Sequence, residues 1–111
     1  MSESSLEHLY SCSLFRGIEK ELVIKILESS ERKSYRPGEE LIAKGNVPKA
    51  LFIIAHGKVK IYNEDILLAQ LGPLAILGES FLADASASAT ILAGEGLETV
   101  EIPTEIFMRL S

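Results

Sequence analysis

The pattern of apolar and polar positions changes character about a third of the way along the chain. The first thirty residues read as helical. Ser4 and Glu7 stand at capping-box spacing, and Leu6, Leu9 and Tyr10 share one face of the turns that follow. From Ile18 to Ser29 the apolar set is Ile18, Leu22, Val23, Ile26 and Leu27, a single stripe on an amphipathic helix. Glu19 and Glu21 sit at its start, where carboxylates suit the helix dipole. The link Ser13-Leu-Phe-Arg-Gly17 is short and partly apolar, so it is expected to pack.

After Arg32 the period shortens. Pro37-Gly38, Gly45-Asn46, Gly57 and Gly72-Pro73 are turn signals between short runs. Leu51–Ala55 is continuously apolar and predicts a buried strand, Lys58–Tyr62 alternates and predicts a half-exposed one, and Ile66–Leu71 follows the Asn63-Glu-Asp65 turn. Ser88–Ala93 and Leu97–Ile102 are expected to pair across Gly94-Glu-Gly96. Pro103-Thr104 opens a terminal helix with Ile106, Phe107 and Leu110 on one face. Strands this closely spaced predict a sandwich or barrel. The chain divides into a helical segment (1–30), a strand-rich segment (31–102) and the start of a C-terminal helix (103–111), all in one domain.

Composition narrows the function. The 111 residues hold one cysteine, Cys12, which excludes an internal disulfide and a cysteine-based zinc site. His8 and Cys12, four apart, lack a third ligand nearby. No run approaches a membrane span, and no signal-peptide pattern opens the chain; the expected compartment is the cytoplasm. Ten basic and eight acidic side chains fall in residues 1–60, against one basic and eight acidic in 61–111. Arg32, Lys33 and Arg36 read as a solvated stretch. An acidic chain with scattered cations is not expected to bind nucleic acid directly. No nucleophilic triad, paired-carboxylate site or Walker loop is present, so the chain is not expected to be an enzyme.

Several short motifs in order resemble the cyclic nucleotide-binding domain family of catabolite-activator regulators, kinase regulatory subunits and gated channels. They are Leu14-Phe-Arg-Gly17, Tyr35-Arg-Pro-Gly-Glu39, Lys44-Gly-Asn46, Leu51–Gly57 with Val59, Leu71-Gly-Pro73, Leu77-Gly-Glu79 and Ala89-Thr90. The resemblance implies an eight-stranded antiparallel β-roll with flanking helices, and it places a phosphate-binding cassette at Gly78, Glu79, Ser80, Ser86, Ala87, Ser88, Ala89 and Thr90. In that family a one-turn helix after the Gly-Glu pair offers its N–H groups to the cyclic phosphate. Glu79 then matches the acceptor of the ribose 2′-hydroxyl, or else it caps the turn. Ser86 and Ser88 are polar donors to a ligand or ordinary loop serines.

The chain departs from the family pattern at two points. The arginine that forks onto the phosphate is missing: Ala87 stands at that position, and no Lys or Arg occurs between Ile61 and Met108. Leu74 stands where the family has a glycine. The resemblance therefore implies a regulatory, ligand-sensing domain in which cyclic AMP or cyclic GMP binds weakly or not at all. The alternative is a degenerate scaffold for protein–protein contact. No cofactor is implied beyond a cyclic nucleotide or another small effector. The implied partners are an output domain or partner protein, and a second copy through the apolar C-terminal helix.

Overall fold

The computed structural model describes residues 19–106. The expectations for Ser4–Gly17, for Ile18 at the head of the second helix stripe, for the His8–Cys12 spacing and for Phe107 and Leu110 lie outside these residues. Helix α1 (Lys20–Glu28) buries Val23, Ile26 and Leu27, with Glu21 in its first turn and Lys25 in its last. Val23, Ile26 and Leu27 of the predicted stripe are thus on the buried face; Glu21 and Lys25 suit the helix dipole, whereas Lys20 and Glu28 stand at the opposite ends.

Eight strands follow: β1 (Glu31–Ser34), β2 (Glu40–Ile42), β3 (Ala50–His56), β4 (Val59–Asn63), β5 (Ile66–Leu71), β6 (Ile76–Leu77), β7 (Thr90–Ala93) and β8 (Glu98–Pro103). They form two antiparallel sheets, ordered β1-β8-β3-β6 and β2-β7-β4-β5. This is the eight-stranded β-roll the resemblance implied.

Strand β3 explains the layering. Leu51 and Ile53 pack with Val23, Ile26 and Leu27 of α1, together with Val100 and Ile102 of β8. Phe52 and Ile54 point the other way, into a second core with Ile42, Val59, Ile91 and Ala93 of the other sheet. A strand covered on both faces needs no polar alternation, hence the unbroken apolar run.

Three expectations are corrected. Ser88–Ala93 and Leu97–Ile102 do not pair with each other. Strand β7 lies between β2 and β4, and β8 between β1 and β3. The Gly94-Glu-Gly96 link carries the chain from one sheet to the other, with the Gly94 N–H donating to the Lys58 carbonyl (2.8 Å). Stacking face to face lets Ile91, Ala93 and Leu97 enter the same core. The strand in this region begins at Thr90, not Ser88, and Pro103 closes β8 before the helical residues 104–106. Arg32, Lys33 and Arg36 are exposed as expected, the first two on β1. Arg32 Nη1 lies 3.3 Å from Glu98 Oε1, and Lys33 Nζ lies 3.6 Å from Glu101 Oε1.

Glu101 is the one buried carboxylate among the described residues. On Oε2 it accepts hydrogen bonds from the Tyr35 hydroxyl and from Thr99 Oγ1, the latter at 2.9 Å. A buried charge persists when its lone pairs are satisfied in this way.

Candidate functional site

The segment after β5 builds the site. Gly72-Pro73-Leu74-Ala75 is a turn closed by the Ala75 N–H on the Gly72 carbonyl (3.2 Å). Proline second and a left-handed residue third is the arrangement of a type II turn. Leu74 fills the left-handed position with φ 77° and leaves its side chain 55% exposed. Leu74→Gly is therefore expected to relieve backbone strain while giving up little burial. The left-handed penalty of about 1–2 kcal/mol is offset in part by the entropy of an added glycine. The net gain is about 0.5–1 kcal/mol, read as a higher urea midpoint with an unchanged slope. A lower midpoint would show that Leu74 is held by packing instead.

Strand β6 then leads to Gly78, at φ 92°, and to a 3-10 helix over Glu79–Ala83. A tight turn at Gly78 into a short helix is what the Gly-Glu pair predicts. Glycine is required here on two counts: its φ is positive, and a Cβ would sit 2.6 Å from the Ala50 carbonyl oxygen. The helix is closed by Asp84, itself left-handed at φ 52°, whose N–H donates to the Phe81 carbonyl (2.9 Å). The return limb is tied to the loop after β2. Gly45 N–H donates to the Ala87 carbonyl (2.9 Å), and Ala87 N–H to the Asn46 carbonyl (2.8 Å).

Between these limbs lies a cavity of about 220 Å³. Its mouth is Gly78, Glu79 and Ser80 on one side and Ala87, Ser88 and Ala89 on the other; its floor is Ile42, Ile61 and Ile91. Glu79 and Ser80 precede the first bond within the short helix, so their N–H groups are those a helix start leaves for an outside acceptor. Among the described residues, Glu79 is the only charged side chain on the lining. Ala87 is half-buried and packs against the inter-sheet core.

Six of the eight residues expected here thus surround one cavity. Two do not. Ser86 is exposed and absent from the lining. Thr90 faces the opposite side of the sheet, where its Oγ1 accepts from the Lys44 N–H (3.1 Å). There it lines a wider, open groove of about 550 Å³ with Lys44, Tyr62, Glu64, Asp65 and Leu92. Strand alternation is the reason: Ile91 points in, so its neighbour points out. The sequence motifs do not point to the floor residues, although the alternation of the β4 and β7 runs carries the signal for Ile61 and Ile91. Neither Leu74 nor Phe81 lines the cavity, since Leu74 is solvent-facing and Phe81 belongs to the α1 core. The Leu82 side chain lies outside the described set.

Among the described residues, no group of three or more His, Cys, Asp or Glu could hold a metal ion, and no helix is long and apolar enough to cross a membrane.

A two-sheet roll with a glycine-opened helical turn beside a small cavity defines a β-roll domain. The cyclic nucleotide-binding domain model matches residues 32–111. The chain belongs to the cyclic nucleotide-binding domain family. It is 31% identical over 103 residues to the cyclic AMP receptor protein of Thermus thermophilus, an alignment covering 87% of this chain and 48% of that protein. The chain thus spans about half the length of that curated relative. Among solved structures, a cyclic nucleotide-binding-like protein from Brucella abortus superposes with a TM-score of 0.85 at 26% identity, covering 96% of this chain and 97% of that one. The regulatory domain of Toxoplasma gondii PKA, crystallised with cAMP, shares the fold with a TM-score of 0.85 at 19% identity, over 98% of this chain and 45% of that one.

Proposed function

We propose that this domain is a regulatory ligand sensor of the cyclic nucleotide-binding type, with a pocket in which cyclic AMP and cyclic GMP bind weakly. The observation that supports this reading is the cavity lining: among the described residues its one charged side chain, Glu79, is acidic, and the family resemblance assigns Ala87 to the position of the arginine that forks onto the phosphate. A charge-assisted hydrogen bond contributes about 1.5–3 kcal/mol. Its absence weakens an anionic ligand by roughly one to two decades. The relatives' names support the ligand class, and the cavity's position under the Gly78–Ser80 turn supports the mode of binding. The role is regulatory rather than catalytic, with ligand occupancy passed to an output domain or partner through the helix that begins at Thr104.

Titration calorimetry tests this. Cyclic AMP is expected to bind far more weakly than signalling needs, and Ala87→Arg to tighten it about tenfold or more. Submicromolar affinity in the unmodified chain would overturn the reading.

One observation favours a second reading, a scaffold with no small ligand. The cavity of about 220 Å³ is smaller than the roughly 300–1,000 Å³ of common ligand sites. A thermal-shift screen against cyclic nucleotides and neutral metabolites separates the two, because a ligand that binds only the folded state raises the melting temperature. No shift with any of them, and no gain from Ala87→Arg, would favour the scaffold.

A further inference from the structure

The cavity occupies the inner side of the roll. A separate feature lies on the rim of the second sheet. Strand β5 pairs with β4 along one edge, and no described strand lies along the other. Its sequence, Ile66-Leu-Leu-Ala-Gln-Leu71, has no charge and no proline, two devices that ordinarily protect an edge strand. Ile66, Leu67 and Leu68 remain 66%, 43% and 57% exposed. The register shifts between Ile61 and Tyr62, which leaves Leu68 with no counterpart on β4. This bulge bends the edge, and the residue it adds to the rim is apolar.

The β4–β5 hairpin also has opposite charges at its two ends. Its tip is Glu64-Asp65, both exposed; Glu64 Oε1 lies 3.1 Å from Lys44 Nζ, so the tip keeps a net negative charge through Asp65. Its foot carries Lys58 and Lys60, with Val59 opposite Leu71 and Lys60 opposite Gln70, so the two lysines flank the far end of β5. Between these ends lies the uncharged strand.

We propose that β5 is the contact surface for a second copy of this chain. The two hairpins lie antiparallel about a two-fold axis, with the Glu64–Asp65 tip of each beside the Lys58–Lys60 foot of the other. A two-fold interface must be complementary to itself. An antiparallel approach meets that requirement at both ends, whereas a parallel one sets acid against acid and base against base. The same approach covers Ile66, Leu67 and Leu68. This contact does not depend on what the cavity binds, and it is distinct from association through the C-terminal helix.

Sedimentation of the full chain over a range of concentrations tests the proposal. The expected result is a reversible dimer that weakens as salt rises. Leu68→Lys should raise the dissociation constant at least about tenfold, since it places a charge on the buried rim. The charge-reversed variants Lys58→Glu/Lys60→Glu and Glu64→Lys/Asp65→Lys should each be monomeric, and an equimolar mixture of them should associate again. All these positions lie on the hairpin surface, and thermal melts of each variant check that it folds. A wild-type chain that stays monomeric at millimolar concentration would overturn the proposal. So would a dimer that survives Leu68→Lys, as one held by the C-terminal helix would. Failure of the mixture to associate would overturn the tip-to-foot arrangement.

Discussion

Gly78→Ala is expected to lower the stability of the domain by about 2–4 kcal/mol, with a melting temperature reduced by roughly 10–20 °C. Two penalties combine. Alanine at φ 92° takes a left-handed conformation that costs about 1–2 kcal/mol. Its Cβ would also stand 2.6 Å from the carbonyl oxygen of Ala50, which is backbone in the central strand β3 and cannot swing aside as a side chain would. Relief requires β6 or the 3-10 helix to move away from β3. Glu79 and Ser80 follow directly, so the mouth of the cavity moves with them. Thermal and urea unfolding of the two proteins measure the effect. A loss below about 0.5 kcal/mol, the ordinary range for surface changes, would mean that the turn is free to adjust and that Gly78 does not fix the site.

Glu101→Ala is expected to cost about 2–4 kcal/mol. Hydrogen bonds to a charged partner contribute about 1.5–3 kcal/mol each, and removing the acceptor leaves buried donors unsatisfied. Here the acceptor serves both Tyr35 and Thr99, and Thr99 is fully buried. Glu101→Gln keeps an acceptor oxygen and should cost distinctly less. The same cluster gives a pH signature. Burial, followed by the hydrogen bond to Glu101 and the charge of Glu101, raises the pKa of the Tyr35 hydroxyl above its usual value. In the unfolded chain this tyrosine ionises near about pH 10. The stabilisation is therefore complete below that pH. It is lost progressively above it, by up to about 1.4 kcal/mol per pH unit, as the unfolded state gives up a proton that the folded state retains. Urea unfolding at about pH 8 and about pH 11 should show a steeper alkaline loss in the wild type than in Tyr35→Phe. Parallel losses in the two proteins would sink this account.

Patterns that depend on one segment alone are legible in the amino-acid sequence. The α1 stripe, the apolar β3 run and the turns at Pro37-Gly38 and Gly72-Pro73 report burial or backbone geometry within a few residues of themselves. The Gly78-Glu79 pair belongs to the same class, because a positive φ followed by a helix start is a local demand. Six of the eight candidate site residues fall around one cavity because they lie on the two limbs that this turn and the return at Ala87 create.

The sequence by itself determined helix α1, most of the strand-forming runs and the turn that opens the candidate site. The tertiary structure decided which strands are neighbours. Leu97–Ile102 could as well have paired with Ser88–Ala93, because alternation specifies a buried face and not the sheet that covers it. It decided that Thr90 faces away from the cavity while Ile42, Ile61 and Ile91 form the floor. It brought Tyr35 to Glu101, 66 residues apart in sequence, and it left β5 at an edge. The physical reason is common to all four. Periodicity records whether a side chain is buried, a property of one position, whereas partners are set by the packing of two sheets, a property of pairs distant in the chain.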